Sequence, residues 1–258
     1  MKRNIQILAF VTLISNCALG QVQQDVNKYR SGDKLEKQQI EYKNLGRSGE
    51  NVLWDLGEVE VVNNKYTVNY MAMDDSCKRI AGIEHGTDYY YDQQGDTMVI
   101  GGIENRLTKI DYDGKEAYLK FPITYGDSIA GYYHGRGTYC DKLALRCYGS
   151  YKTKVDAKGL LILPDGDTLR DVTRLCTERL VSNMFYPADS MSTYDHNIMP
   201  ISDDSVKQRL VTDTGVIKMK INRWYAAGYR YPVLETITTT LKDDGSSLGS
   251  TAFLHSFS

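Results

Sequence analysis

Gly159-Leu-Leu-Ile-Leu-Pro-Asp-Gly-Asp-Thr-Leu-Arg-Asp-Val-Thr-Arg-Leu175 is the stretch from which the fold of this chain is read. The apolar run Leu160 to Leu163 stops at Pro164, whose missing amide hydrogen ends a central strand. Asp165-Gly166-Asp167 tolerates a tight reversal, and a run rich in Val, Thr and Leu leads back, so the stretch predicts a β-hairpin. Much of the chain repeats it. Val59 and Val61 alternate with Glu58 and Glu60, Asn63-Asn64 turns, and Tyr66, Val68 and Tyr70 alternate back. Tyr89-Tyr90-Tyr91 runs into Gln94-Gly95-Asp96 and out through Thr97 to Ile100, with the middle tyrosine on the opposite face from its neighbours. Asp113-Gly114 precedes Ala117, Leu119, Phe121 and Ile123, and two late strands flank Ala226-Ala227-Gly228. With no long helical pattern between these turns, the fold class is all-β, an antiparallel meander with few short helices. Twenty tyrosines suit half-buried pleated surfaces. Two closures fit: a β-sandwich, or a strongly curved sheet forming a half-barrel. The curved sheet is favoured, because a meander needs no long crossovers and Gly101-Gly102 and Gly135-x-Gly137 permit bending.

Lys2 and Arg3 precede the apolar run Ile5 to Ile14, and Ala18-Leu19-Gly20 has the form of a signal-peptidase site. Residues 1–20 therefore read as a signal peptide, and the protein as secreted or periplasmic. The alternative is an outer-membrane lipoprotein anchored through Cys17. No later run reaches the ~20 apolar residues of a membrane helix, so no transmembrane segment is predicted. Residues 21–51 form a polar segment with Leu35, Ile40 and Leu45 as spaced apolar positions, a short helix or a strap across the sheet. Residues 52–258 form a single all-β domain with a loop insertion at about 184–205, where Pro187, Pro200 and clustered Asp and Ser occur. Net charge is -2 with both signs interspersed, so no basic stripe invites nucleic acid, and a monomer is expected.

Candidate chemistry is sparse. Cys140 and Cys147 flank a stretch able to turn, so a disulfide between them is expected in an exported chain. The four histidines are scattered singly and predict no metal site. Glu84-His85 with Asp88 is the most enzyme-like cluster, yet neighbours in a strand point to opposite faces. Asp96, Asp127 and Asp167 each follow a glycine and read as turn residues, not calcium ligands. No nucleophile elbow or zinc-protease helix is present, so no catalytic residue and no cofactor is assigned. Glu235 shares strand parity with Val233, Ile237 and Leu241 and should point into the apolar side. It is expected to pair with Arg230, or with another cation, as a structural ion pair.

Ile83-Glu-His-Gly-Thr-Asp-Tyr-Tyr-Tyr91, Phe121-Pro-Ile-Thr-Tyr-Gly-Asp-Ser128, the opening hairpin and Trp224-Tyr-Ala-Ala-Gly-Tyr-Arg-Tyr-Pro-Val-Leu-Glu235 together resemble a family of secreted Bacteroidetes proteins. The resemblance implies an all-β build and export, not a chemistry. Trp224-Tyr-x-x-Gly228 also resembles, more loosely, periplasmic half-barrels that hold lipids or lipoproteins. Asp followed by Ser or Thr and an aliphatic residue resembles the O-glycan acceptor motif of exported Bacteroidetes proteins. It marks Ser190 and Ser205 first, then Thr97, Ser128 and Thr168. The function predicted is that of an exported non-catalytic protein binding an apolar ligand in a sheet concavity or a surface partner. The alternative is a secreted hydrolase acting on glycans or peptides.

Overall fold

The computed structural model describes residues 22–76, 78–187 and 201–256. The expected signal peptide and Cys17 lie outside them. Thirteen strands form one sheet. They are β1 (Lys34–Ile40), β2 (Gly49–Asp55), β3 (Val61–Ala72), β4 (Arg79–Glu84), β5 (Thr87–Gln94), β6 (Thr97–Asn105) and β7 (Thr108–Lys120). Then follow β8 (Ser128–Tyr139), β9 (Leu143–Ile162), β10 (Thr168–Pro187), β11 (Ile217–Tyr225), β12 (Leu234–Leu241) and β13 (Ser247–His255). Two helices, α1 (Gln24–Asn27) and α2 (Asp203–Thr212), complete the described elements.

The all-β antiparallel meander is what the turn spacing predicts, but its closure goes past a half-barrel. From β3 to β13 each strand pairs with the next, and β13 returns to β1, which pairs with β3, so the sheet closes into an antiparallel barrel of 12 strands. β2 stands outside it, laid parallel on β9. Closure removes every edge within the ring. The hairpin at Pro164 joins its two longest strands, β9 and β10, which pair from Ile162↔Thr168 to Leu143↔Pro187 with register shifts between Leu169 and Val172 and between Arg174 and Leu175. Its turn is as expected: Gly166 has φ +90°, and the Asp167 amide donates to Asp165 Oδ1. The register of β6 on β7 slips between Ile100 and Gly102, at the glycine pair expected to bend the sheet.

The polar N-terminal segment is part of the barrel. β1 is a wall strand, and Tyr29, just before it, is buried in the barrel core. α1 is docked below by Asn27, whose amide donates to the Tyr229 and Arg230 carbonyls. Residues 184–187 belong to β10, and Ser205 lies in α2. The expected insertion therefore shrinks to the connection between β10 and α2, whose residues 188–200 are not described.

Twelve strands enclose more than aliphatic side chains can fill, and large rings occupy the space. Tyr133 fits because its cross-strand partner is Gly149, where a Cβ would come within 2.0 Å of the ring. Two further clusters lie outside the wall. Val206 and Leu210 of α2 cover Tyr148. β2 covers the end of the β9–β10 hairpin, burying Trp54 against Trp224 and Leu161. No helix among the described residues is long and apolar enough to cross a membrane. The outer wall carries exposed charges, among them Lys109, Asp111 and Asp113 of β7, Lys152 and Lys154 of β9, and Lys218 and Lys220 of β11.

Candidate functional site

Alternation along each strand sends every second side chain inward, and in this barrel the inward set leaves a cavity of ≈ 350 Å³. Its floor is built of rings. Tyr29 meets Tyr70, Tyr91, Tyr118 and Tyr231 at centroid distances of 4.8 to 5.8 Å, and its hydroxyl lies 2.8 Å from that of Tyr118. Burial pushes the Tyr29, Tyr70 and Tyr91 phenols well above their ordinary value, so they remain neutral. At the other end His85 and Tyr89 are exposed, with Thr87 and Phe253 beside them at the mouth.

Between floor and mouth the lining mixes aliphatic side chains, such as Ile103, Met219 and Ile237, with ion pairs. Arg223 Nε donates to Glu235 Oε2 at 2.5 Å across the β11–β12 register, and its guanidinium lies over Tyr118. Burial alone would raise the Glu235 carboxyl. The Arg223 and Lys37 charges and the Arg223 hydrogen bond outweigh it and hold the group below its ordinary value. Arg179 reaches Glu116 at 2.8 Å and donates to Tyr133 Oη at 3.0 Å. Glu116 sits deeper in the wall, and its desolvation outweighs Arg179 and Arg223, so its pKa is raised. Lys37 Nζ donates to Glu84 Oε1 at 2.9 Å, and Tyr66 Oη donates to the same oxygen at 2.6 Å.

Several expectations are corrected here. Glu235 does point inward, but its cation is Arg223. Arg230 lies at the barrel floor, donating to the Lys28 carbonyl and standing 3.7 Å from Asp33. The register explains this, since Arg223 is directly opposite Glu235 while Arg230 has passed into the turn. The Cys140–Cys147 disulfide is not formed. Cys140 is exposed in the β8–β9 turn at φ +52°, while β9 carries Cys147 along the wall to lie opposite Gly135. Burial pushes the Cys147 thiol up to about 12. Cys176 is also free, and Cys77 lies outside the described residues. Glu84 and His85 share the cavity mouth, because β4 ends at Glu84 and His85 turns at φ +50°. Asp88 does not line it.

Asp127 acts as a turn residue, accepting from the Thr124 amide, and Asp96 accepts from the Thr97 hydroxyl. Tyr89 and Tyr91 line the cavity, while Tyr90 faces away and donates to Glu104, the alternation expected. Of the glycan candidates, Ser128 and Thr168 are exposed at strand starts and Thr97 is half-buried. Ser205 is exposed in the first turn of α2, where its amide donates to the Ser202 cap, not in the polar loop expected. Ser190 lies outside the described residues.

Sequence reasoning missed Tyr29, Lys37, Glu116, Arg179 and Arg223. The signal for three of them was a charge on an apolar parity: Arg179 between Leu175 and Val181, Arg223 after Met219 and Ile221, and Glu116 between Tyr112 and Tyr118. No protein-family model, curated protein or solved structure matches the chain.

Proposed function

We propose that this chain is an exported, non-catalytic binding protein whose barrel holds one small amphipathic molecule. The observation that carries this reading is the ≈ 350 Å³ cavity, floored by Tyr29 and mouthed at His85 and Tyr89. That volume falls in the range of small-molecule sites, which are concave, mostly apolar and fitted with a few converging polar groups. An enzyme reading has less support, since Glu84, the carboxylate at the mouth, already accepts from Lys37 and Tyr66. The apolar ligand expected from the sequence becomes an amphipathic one, because ion pairs interrupt the apolar lining. Export rests on the signal-like residues 1–20.

Titration with the neutral fluorophore N-phenyl-1-naphthylamine tests the lumen. The expected result is saturable fluorescence enhancement with one site per chain, competed by any ligand that co-purifies from the native source. Enhancement that persists unchanged when Met219→Trp and Ile237→Trp fill the cavity would place the dye elsewhere and end the reading.

A further inference from the structure

Resting on the lumen reading above, we propose that the ligand is an organic monoanion, a carboxylate or sulfonate with an apolar body, seated with its charge against Arg179. The lining residues include three cations, Lys37, Arg179 and Arg223, and two carboxylates, Glu84 and Glu235. Lys37 and Arg223 each have their acid within the cavity wall. Arg179 differs. Its acid, Glu116, does not line the cavity and stands 2.8 Å from Nη2, the nitrogen that donates to Tyr133. Among the described residues nothing accepts from Arg179 Nε, although that atom is buried. An unsatisfied donor on a buried cation is a standing demand for an acceptor, and an anionic oxygen makes the stronger, charge-assisted hydrogen bond to it.

The surroundings favour an anion over a neutral acceptor. Desolvation raises the Glu116 carboxyl, whereas Arg223 and Lys37 lower that of Glu235, so Arg179 holds the less readily ionised acid of the two. Tyr112, held neutral by burial, lines the same cavity with its hydroxyl turned to Cys147. Ile103, Met219 and Ile237 supply the apolar wall for the body of the ligand.

The test compares two fluorophores of nearly the same shape, N-phenyl-1-naphthylamine and its sulfonated analogue 8-anilino-1-naphthalenesulfonate, on the full chain. The expected result is that the sulfonate binds about tenfold or more tighter, the ratio one charge-assisted hydrogen bond supports. Arg179→Met should abolish that preference, read as the ratio of the two dyes' affinities. Because this variant strands Glu116 and can fail to fold, Arg179→Met/Glu116→Gln is measured beside it. Equal affinity of the two dyes would overturn the anion proposal and leave the lumen reading standing. A preference retained in the double variant would place the sulfonate on surface lysines and overturn it equally. Failure of both dyes to bind would remove the lumen reading, and this proposal with it.

Discussion

Arg174 and Arg179 lie five residues apart on the same strand, and the fold treats them oppositely. The odd separation puts Arg174 on the outer face and Arg179 on the inner. Outside, every nitrogen of the Arg174 guanidinium has an acceptor: Nε and Nη2 each donate to an Asp156 oxygen at 2.8 Å, and Nη1 donates to the Leu45 carbonyl at 2.6 Å. Its faces meet Trp54 and Trp224, whose rings stand edge to face. Inside, Arg179 has one acid, one phenol and an idle Nε. Two buried cations on one strand thus separate by how much hydrogen-bonding capacity remains. A saturated arginine clamps structure, and an unsaturated one beside a cavity is available to something else.

The sharpest way to break that contrast is Arg174→Met. It removes three hydrogen bonds and strands Asp156, whose side chain is 19% exposed, in the cover formed by β2. Losing one partner of a buried pair costs about 3–5 kcal/mol, and urea denaturation should read a loss of that size. Dye binding in the lumen should survive wherever the variant is folded. A loss below about 1 kcal/mol would mean the outer pair is no clamp.

Glu235→Ala comes next, at about 3 kcal/mol, because it leaves Arg223 buried without its acid. Its pH dependence has a definite sign. The folded carboxyl is held below its ordinary 4.5, so its stabilisation is complete above 4.5 and disappears as pH falls through the lower folded value. The difference in stability between wild type and Glu235→Gln should therefore shrink only on acidification below about pH 4.5. A difference that is flat with pH would show the pair to be electrostatically idle.

The fold was legible to the extent that its turns were. Pro164 and Asp165-Gly166-Asp167 mark a hairpin by local chemistry alone. Barrel closure was not legible, because it depends on β13 meeting β1, a pairing between residues near the two ends of the chain. Tyr29 escaped notice for a related reason. It stands in a polar stretch, and only the closed ring gives its side chain four aromatic neighbours. Parity located Glu235 on the inner face, and the same test applied to β7, β10 and β11 would have returned Glu116, Arg179 and Arg223. What parity does not return is register. Without it, the nearest cation in sequence, Arg230, stood in for the one directly opposite.

The finest test concerns Glu116, where the smallest effect is expected. If Arg179 holds the less readily ionised acid, that acid should matter little as a charge. Glu116→Gln keeps an acceptor for Arg179 and removes a desolvated carboxylate, so stability at pH 7 should change by less than about 1 kcal/mol. The pH dependence should run opposite to that of Glu235. A carboxyl raised above 4.5 in the folded state contributes its stabilisation below 4.5 and loses it as pH rises through the folded value. The amide does not titrate, so Glu116→Gln should gain on wild type as pH climbs above 4.5, measured by denaturation at a series of pH values. A cost near 3 kcal/mol at pH 7 would instead make Glu116 as firm a partner as Asp156. Arg179 would then be a second clamp turned inward, and the anion would lose its seat.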